Sequence, residues 1–348
     1  MFKYFTGSFV FTFIGLIGSF FVGQYYGGNV QAGLEALFIA SVLAVLEISL
    51  SFDNAIVNAV VLKEMTPVWR HRFLTWGMII AVFGMRLVFP LAIVSVMAEI
   101  NPWAALVLAA TRPDDYAKLM LEAHTQVSAF GGTFLLMVAL KYFYDGNKHT
   151  HWITLIEKPV SYLGKKIESI EICLVLVILI SLVVLLPASD QLPYLKAGMY
   201  GLITYVIVDG VGSFLEASDD TMKDMHKASA GMFLYLEVLD ASFSFDGVVG
   251  AFAITHNLFI IMIGLSIGAF FVRSLTIMFV EKEALTNFLY LEHGAFYAIG
   301  ILSMIMLTGP FLHIPEWITG LVGAVVIIAS FIWSLRARRE SEGPTPIK

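Results

Sequence analysis

Ten runs of apolar residues, each long enough to cross a bilayer as a helix, constrain this chain more than any other feature of its sequence. They lie near 5–26, 34–62, 73–97, 122–143, 171–187, 196–215, 230–255, 258–280, 285–308 and 316–335, and about 20 apolar residues suffice for one span. The expected fold is therefore all-α and polytopic. Composition agrees: mean hydropathy is +0.83 and only 14% of residues are charged, against roughly 25% in a soluble domain. A formal charge of −6 without basic blocks argues against a nucleic-acid partner. The single cysteine, Cys173, rules out disulfide frameworks, thiolate zinc sites and iron–sulfur clusters. The first run ends in Gln24-Tyr25-Tyr26 without a small-x-small cleavage pattern, so it reads as a retained helix and not a secretory signal.

Lysines and arginines in the loops set the orientation, because cytoplasmic loops hold the excess. With ten spans and a cytoplasmic N-terminus, the outer side receives only Arg112, Lys118 and Lys196, and Arg86 and Arg273 fall inside spans. Both termini are expected in the cytoplasm. An internal repeat accompanies this arrangement. Glu47-Ile-Ser-Leu-Ser-Phe-Asp53 aligns with Asp240-Ala-Ser-Phe-Ser-Phe-Asp246, Gly18-Ser19-Phe20 with Gly212-Ser213-Phe214, and Gly77 and Arg86 with Gly264 and Arg273. The matched helices are five spans apart, so the halves run in opposite senses. Inverted repeats of this kind are a transporter signature, with the site near the midplane. The chain divides into a first repeat, 1–190, with motif helix 34–62, a second, 191–340, with motif helix 230–255, and a disordered tail, 341–348.

Glu47, Asp53, Asp209, Glu237, Asp240 and Asp246 all fall inside predicted spans. An acid at the centre of a bilayer costs about 2.5–3.5 kcal/mol on the insertion scale and usually marks an ion path. Ser51 and Asn54 lie among these acids, no cysteine is near, and an all-oxygen set suits Mg, Ca or Mn. The site expected from the residues is thus a divalent-cation site built from Glu47, Asp53, Asp240, Asp246, Asn54, Glu237 and Ser51. In a regular helix Asp53 points about 120° away from Glu47. Either two ions sit on two faces, or the helix unwinds between Ser49 and Asp53. Arg86, Arg273 and Asp209 are expected to compensate charge or relay protons, with protonation accompanying ion release.

These motifs resemble the TerC-like family of integral membrane proteins, the tellurite-resistance and Alx-type group. Its pattern Glu-x-x-Leu-Ser-x-Asp-Asn is met by Glu47, Leu50, Ser51, Asp53 and Asn54, and its second pattern by Glu237, Asp240, Phe243 and Asp246. Ser244 stands where the family usually has Ala, and Asp246-Gly-Val-Val-Gly250 where it tends to have Asp-Ser-Val-Pro-Ala. The resemblance implies export of Mn²⁺, with Ca²⁺ as the alternative ion, across the bacterial inner membrane. It also implies secreted metalloenzymes or the secretion machinery as recipients. Two rivals stand beside this non-enzymatic reading. One is a membrane partner that handles metal or senses pH without transporting. The other is an intramembrane aspartyl protease, whose Gly-x-Gly-Asp context is missing around Asp209 and Asp246.

Overall fold

In a computed structural model the description covers residues 2–167, 169–216, 221–282, 288–312 and 314–341, without the side chains of 2, 212–216, 221–227, 245–246, 316–317 and 339–341. The expected tail lies almost entirely outside the described residues. Among those described the protein is helical, with no strand. The helices are α1 (Phe2–Gly27), α2 (Val30–Leu50), α3 (Phe52–Glu64), α4 (Pro67–Met97), α5 (Pro102–Thr111), α6 (Pro113–Tyr144) and α7 (Thr154–Lys166), followed by α8 (Ile170–Leu185), α9 (Ala188–Glu216), α10 (Thr221–Ile254), α11 (Leu258–Glu281), α12 (Leu291–Thr308) and α13 (Glu316–Ser341). Among the described residues seven of these, α1, α2, α4, α6, α11, α12 and α13, contain a stretch long and apolar enough to cross a membrane, and the pair α7 and α8, bent by 111°, would add an eighth. Large apolar side chains along α1 and α13, including Phe13, Phe21, Ile328 and Trp333, face outward, as lipid contact requires.

The expected span 34–62 is two helices. Regular helix lapses at Ser51, which adopts φ −102° and ψ 18°, although its amide still donates to the Glu47 carbonyl at 2.9 Å and its carbonyl accepts from the Ala55 amide at 3.1 Å. Locally, the Asn54 amide donates to Asp53 Oδ1 at 2.9 Å. Short polar side chains offer the backbone this alternative to the helical ladder. The second motif helix, α10, runs through Ser244 without a break, so the sequence repeat is not a repeat of local geometry. Helix α5 occupies a stretch that the apolar runs left as a connection. Its start is fixed by Asn101, whose Oδ1 accepts from the Ala104 amide at 2.8 Å.

Helices α2 and α11 approach closely because Gly264 and Gly268 lie one turn apart on the shared face. A Cβ at 268 would stand 2.4 Å from Glu47 Cβ and Cγ. Gly268→Val is expected to cost at least about 1–3 kcal/mol, the usual range for overpacking. It would appear as a lowered unfolding midpoint in detergent, and an unchanged midpoint would contradict the contact. Two apolar cores flank this pair. One joins α6, α8, α9, α10 and α12 through residues such as Phe134, Leu179, Tyr205, Leu239 and Ile299. The other joins α2, α4, α6, α10 and α11 through Leu43, Val94, Met120, Phe252 and Leu265.

Candidate functional site

Between the cores, α2, α3, α4, α10 and α11 enclose a cavity of about 40 Å³, room for a few water-sized molecules. Glu47, Asn54, Arg86, Glu237, Asp240 and Arg273 all reach its wall, together with Ser51 and Asn58. Sequence reasoning therefore identified most of the polar residues that the fold brings together. Helix α4 contributes through two π-helical stretches, Phe73–Gly77 and Ile80–Val88, a helix form concentrated at functional sites. In the second stretch Arg86 donates from Nη1 to the Ala81 carbonyl, five residues back, at 2.6 Å. Gly77 leaves space for Glu237: a Cβ there would lie 2.7 Å from Glu237 Oε1.

Arg86 is 3% exposed and its guanidinium is hydrogen-bonded to the buried Glu47 carboxylate. Its Nη1 stands 3.8 Å from Asp240 Oδ2. Asp240 Oδ1 accepts from Asn54 Nδ2 at 2.6 Å, which ties the first motif to the second. Around this linked group, Asn54 Oδ1, Asn58 Oδ1 and Glu237 Oε1 are buried oxygens with no hydrogen-bond partner. Three acids and two arginines line one small space; three of its lining residues carry an unsatisfied acceptor oxygen, and Arg86 Nε and Arg273 Nε are unsatisfied donors. Leaving such a group unmade costs about 1–3 kcal/mol each, so the arrangement favours a guest or a rearrangement that satisfies these groups.

Arg86 and Arg273 differ despite their matched places in the sequence. Arg273 lines the cavity, but no described carboxylate pairs with it, and its Nε has no partner. Asp53 does not line this cavity. It lines a second one of about 30 Å³, which shares Glu47 and Ser51 with the first. Asp246 lies in α10, but its side chain is outside the described residues. Asp209 is elsewhere: it lines an open hollow of about 560 Å³ with Glu171, Tyr205 and Tyr235. There Lys141 Nζ stands 4.0 Å from Asp209 and 3.7 Å from Glu171, so a lysine and not an intramembrane arginine faces Asp209.

A buried cluster beside α7 escaped the sequence reading. Glu157, 1% exposed, accepts from the Trp152 and Ile153 amides at 3.2 and 3.1 Å. Lys148 Nζ lies 3.1 Å and His293 Nε2 3.4 Å from the same carboxylate. His293 also lies 2.9 Å from the Thr150 carbonyl through Nε2, so it clasps the segment that leads into α7. Burial pushes the Glu157 carboxyl up, but the Ile153 amide and the His293 and Lys148 charges outweigh it and hold the group below the ordinary 4.5. A depressed carboxyl adds stability that is fully present above its unfolded value and disappears as pH falls through the folded one. Glu157→Gln should therefore destabilise at neutral pH and flatten acid unfolding. Identical acid-unfolding curves for variant and parent would contradict the clasp.

The apolar helices and the buried, mixed-charge polar site fit a multi-pass membrane protein. The chain belongs to the family described as "Protein of unknown function (DUF475)", whose pattern matches residues 52–341. No curated protein and no solved structure matches the chain.

Proposed function

We propose that the protein carries a divalent cation, Mn²⁺ first, through the cavity between the two motif segments. The observation that carries this reading is that Asn54, Asn58 and Glu237, each with an unsatisfied buried oxygen, line one cavity together with Glu47 and Asp240. Hard oxygen ligands of this kind suit Mn²⁺, Mg²⁺ or Ca²⁺. The break at Ser51 supports it too, because interrupted helices at membrane depth are tolerated where they line a protein cavity. The likeness of the first motif to the TerC-like pattern favours manganese and export.

Among the described residues no three acidic, histidine or cysteine side chains are gathered closely enough to hold a metal. In this reading the ion, on binding, displaces Arg86 from Glu47 and Asp240. Ten spans follow when the broken pair α2 and α3 counts as one and α8, α9 and α10 are added. Helix α10 has 34 residues, about 51 Å of rise, which is more than one span needs. Purified protein in proteoliposomes should take up Mn²⁺ in preference to Zn²⁺, with a matching change in internal pH if protons are exchanged. Absence of flux for Mn²⁺, Ca²⁺, Mg²⁺ and Zn²⁺ alike would overturn transport. Binding without flux would favour a metal-handling partner.

A further inference from the structure

The geometry points to a second cation subsite at Asp53, in a cavity beside the central one; this inference rests on the transport reading. Asp53 is 5% exposed and lines its own cavity of about 30 Å³. One carboxylate oxygen accepts the Asn54 amide, and no described lysine, arginine or histidine pairs with the group. A buried carboxyl takes up either a proton or a cation, and here the cavity beside it holds enough room for one ion and a water. Its place in the first turn of α3 adds only the partial charge of a helix N-terminus.

Glu47 joins the two spaces because its carboxylate faces both. Oε1 is held by Arg86 beside the central cavity. Oε2 points toward Gly247, where a Cβ would stand only 3.1 Å away, and Gly247 lines the Asp53 cavity. Ser51, the residue at the break, also lines both. Asp53, Glu47 Oε2 and the hydroxyls of Ser51 and Thr319 thus form an oxygen set for a divalent ion that keeps some of its water, as Mg²⁺ and related hard cations do with one or two carboxylates. An ion leaving the central cavity then has a neighbouring position in which one ligand is already shared.

Equilibrium dialysis with radioactive Mn²⁺ on the purified full chain in detergent tests this. The parent should bind two ions, Asp53→Asn one and Asp240→Asn one. Gly247→Ala, which adds a methyl group beside Glu47 Oε2 without removing a ligand, should weaken one of the two sites at least tenfold and leave the other unchanged. It also stands in for Asp53→Asn if that variant does not fold. One site in the parent, kept in Asp53→Asn and lost in Asp240→Asn, would overturn the second subsite and leave the central one standing. Two sites undisturbed by both Asp53→Asn and Gly247→Ala would also overturn it. No binding by the parent would overturn both.

Discussion

Arg86→Met is expected to lower the unfolding free energy by about 3–5 kcal/mol, the penalty for removing one partner of a buried ion pair. Glu47 is 2% exposed and Arg86 3%, so bulk water does not solvate the charge left behind. Glu47→Met alone should cost a similar amount, since it strands Arg86 with Asp240 3.8 Å away and the Ala81 carbonyl as its nearest strong acceptor. The double variant Glu47→Met/Arg86→Met should recover most of the loss, because a pair replaced by apolar side chains of similar volume is often neutral or stabilising. Denaturant unfolding in detergent of the four proteins completes the cycle. Recovery of the fold without recovery of Mn²⁺ flux would mean that the pair serves the ion and not stability. Single variants costing under about 1 kcal/mol, the worth of an exposed pair, would contradict the buried geometry.

Asp240→Asn is expected to reduce Mn²⁺ flux by about 100-fold or more, at least the upper range for loss of a supporting group around a metal. The substitution keeps the side-chain shape, and its carbonyl oxygen can still accept from Asn54 Nδ2, a contact of 2.6 Å in the parent. The fold should therefore survive, visible as an unchanged elution volume and an unfolding midpoint within a few degrees. What disappears is one negative charge in a space that two arginines already share. Flux at parental level in a well-folded Asp240→Asn protein would remove Asp240 from the ion path.

Much of this was legible in the chain. Helical class followed from the length of the apolar runs, and the central cluster followed from acids that have no inexpensive reason to enter a bilayer. The 120° separation of Glu47 and Asp53 left two choices, two faces or an unwound helix, and the structure contains both a break at Ser51 and a separate cavity at Asp53. Other features were hidden for physical reasons. Periodicity cannot distinguish a π-helical stretch from an α-helical one, so the placement of Arg86 by Ile80–Val88 carried no sequence signal. The clasp of Glu157 by Lys148 and His293 reaches a residue 136 positions from Glu157 through tertiary packing. Asp209 looked like another midplane acid, but it lies near the end of α9, where Lys141 from α6 can reach it. Helix α5 is only 10 residues long, below the length at which an apolar run announces a span.

The central claim is that oxygens from both motif segments hold one hard cation in the cavity beside Arg86. Crystals of the full chain equilibrated with MnCl₂ and measured at the manganese absorption edge test it most directly. The account predicts an anomalous peak at roughly 2.2 Å from an Asp240 oxygen, a carboxylate distance for an ion of this kind, with Arg86 drawn away from Glu47. A fully occupied map elsewhere on the molecule, with the Arg86–Glu47 pair intact and no peak in the cavity, would contradict it.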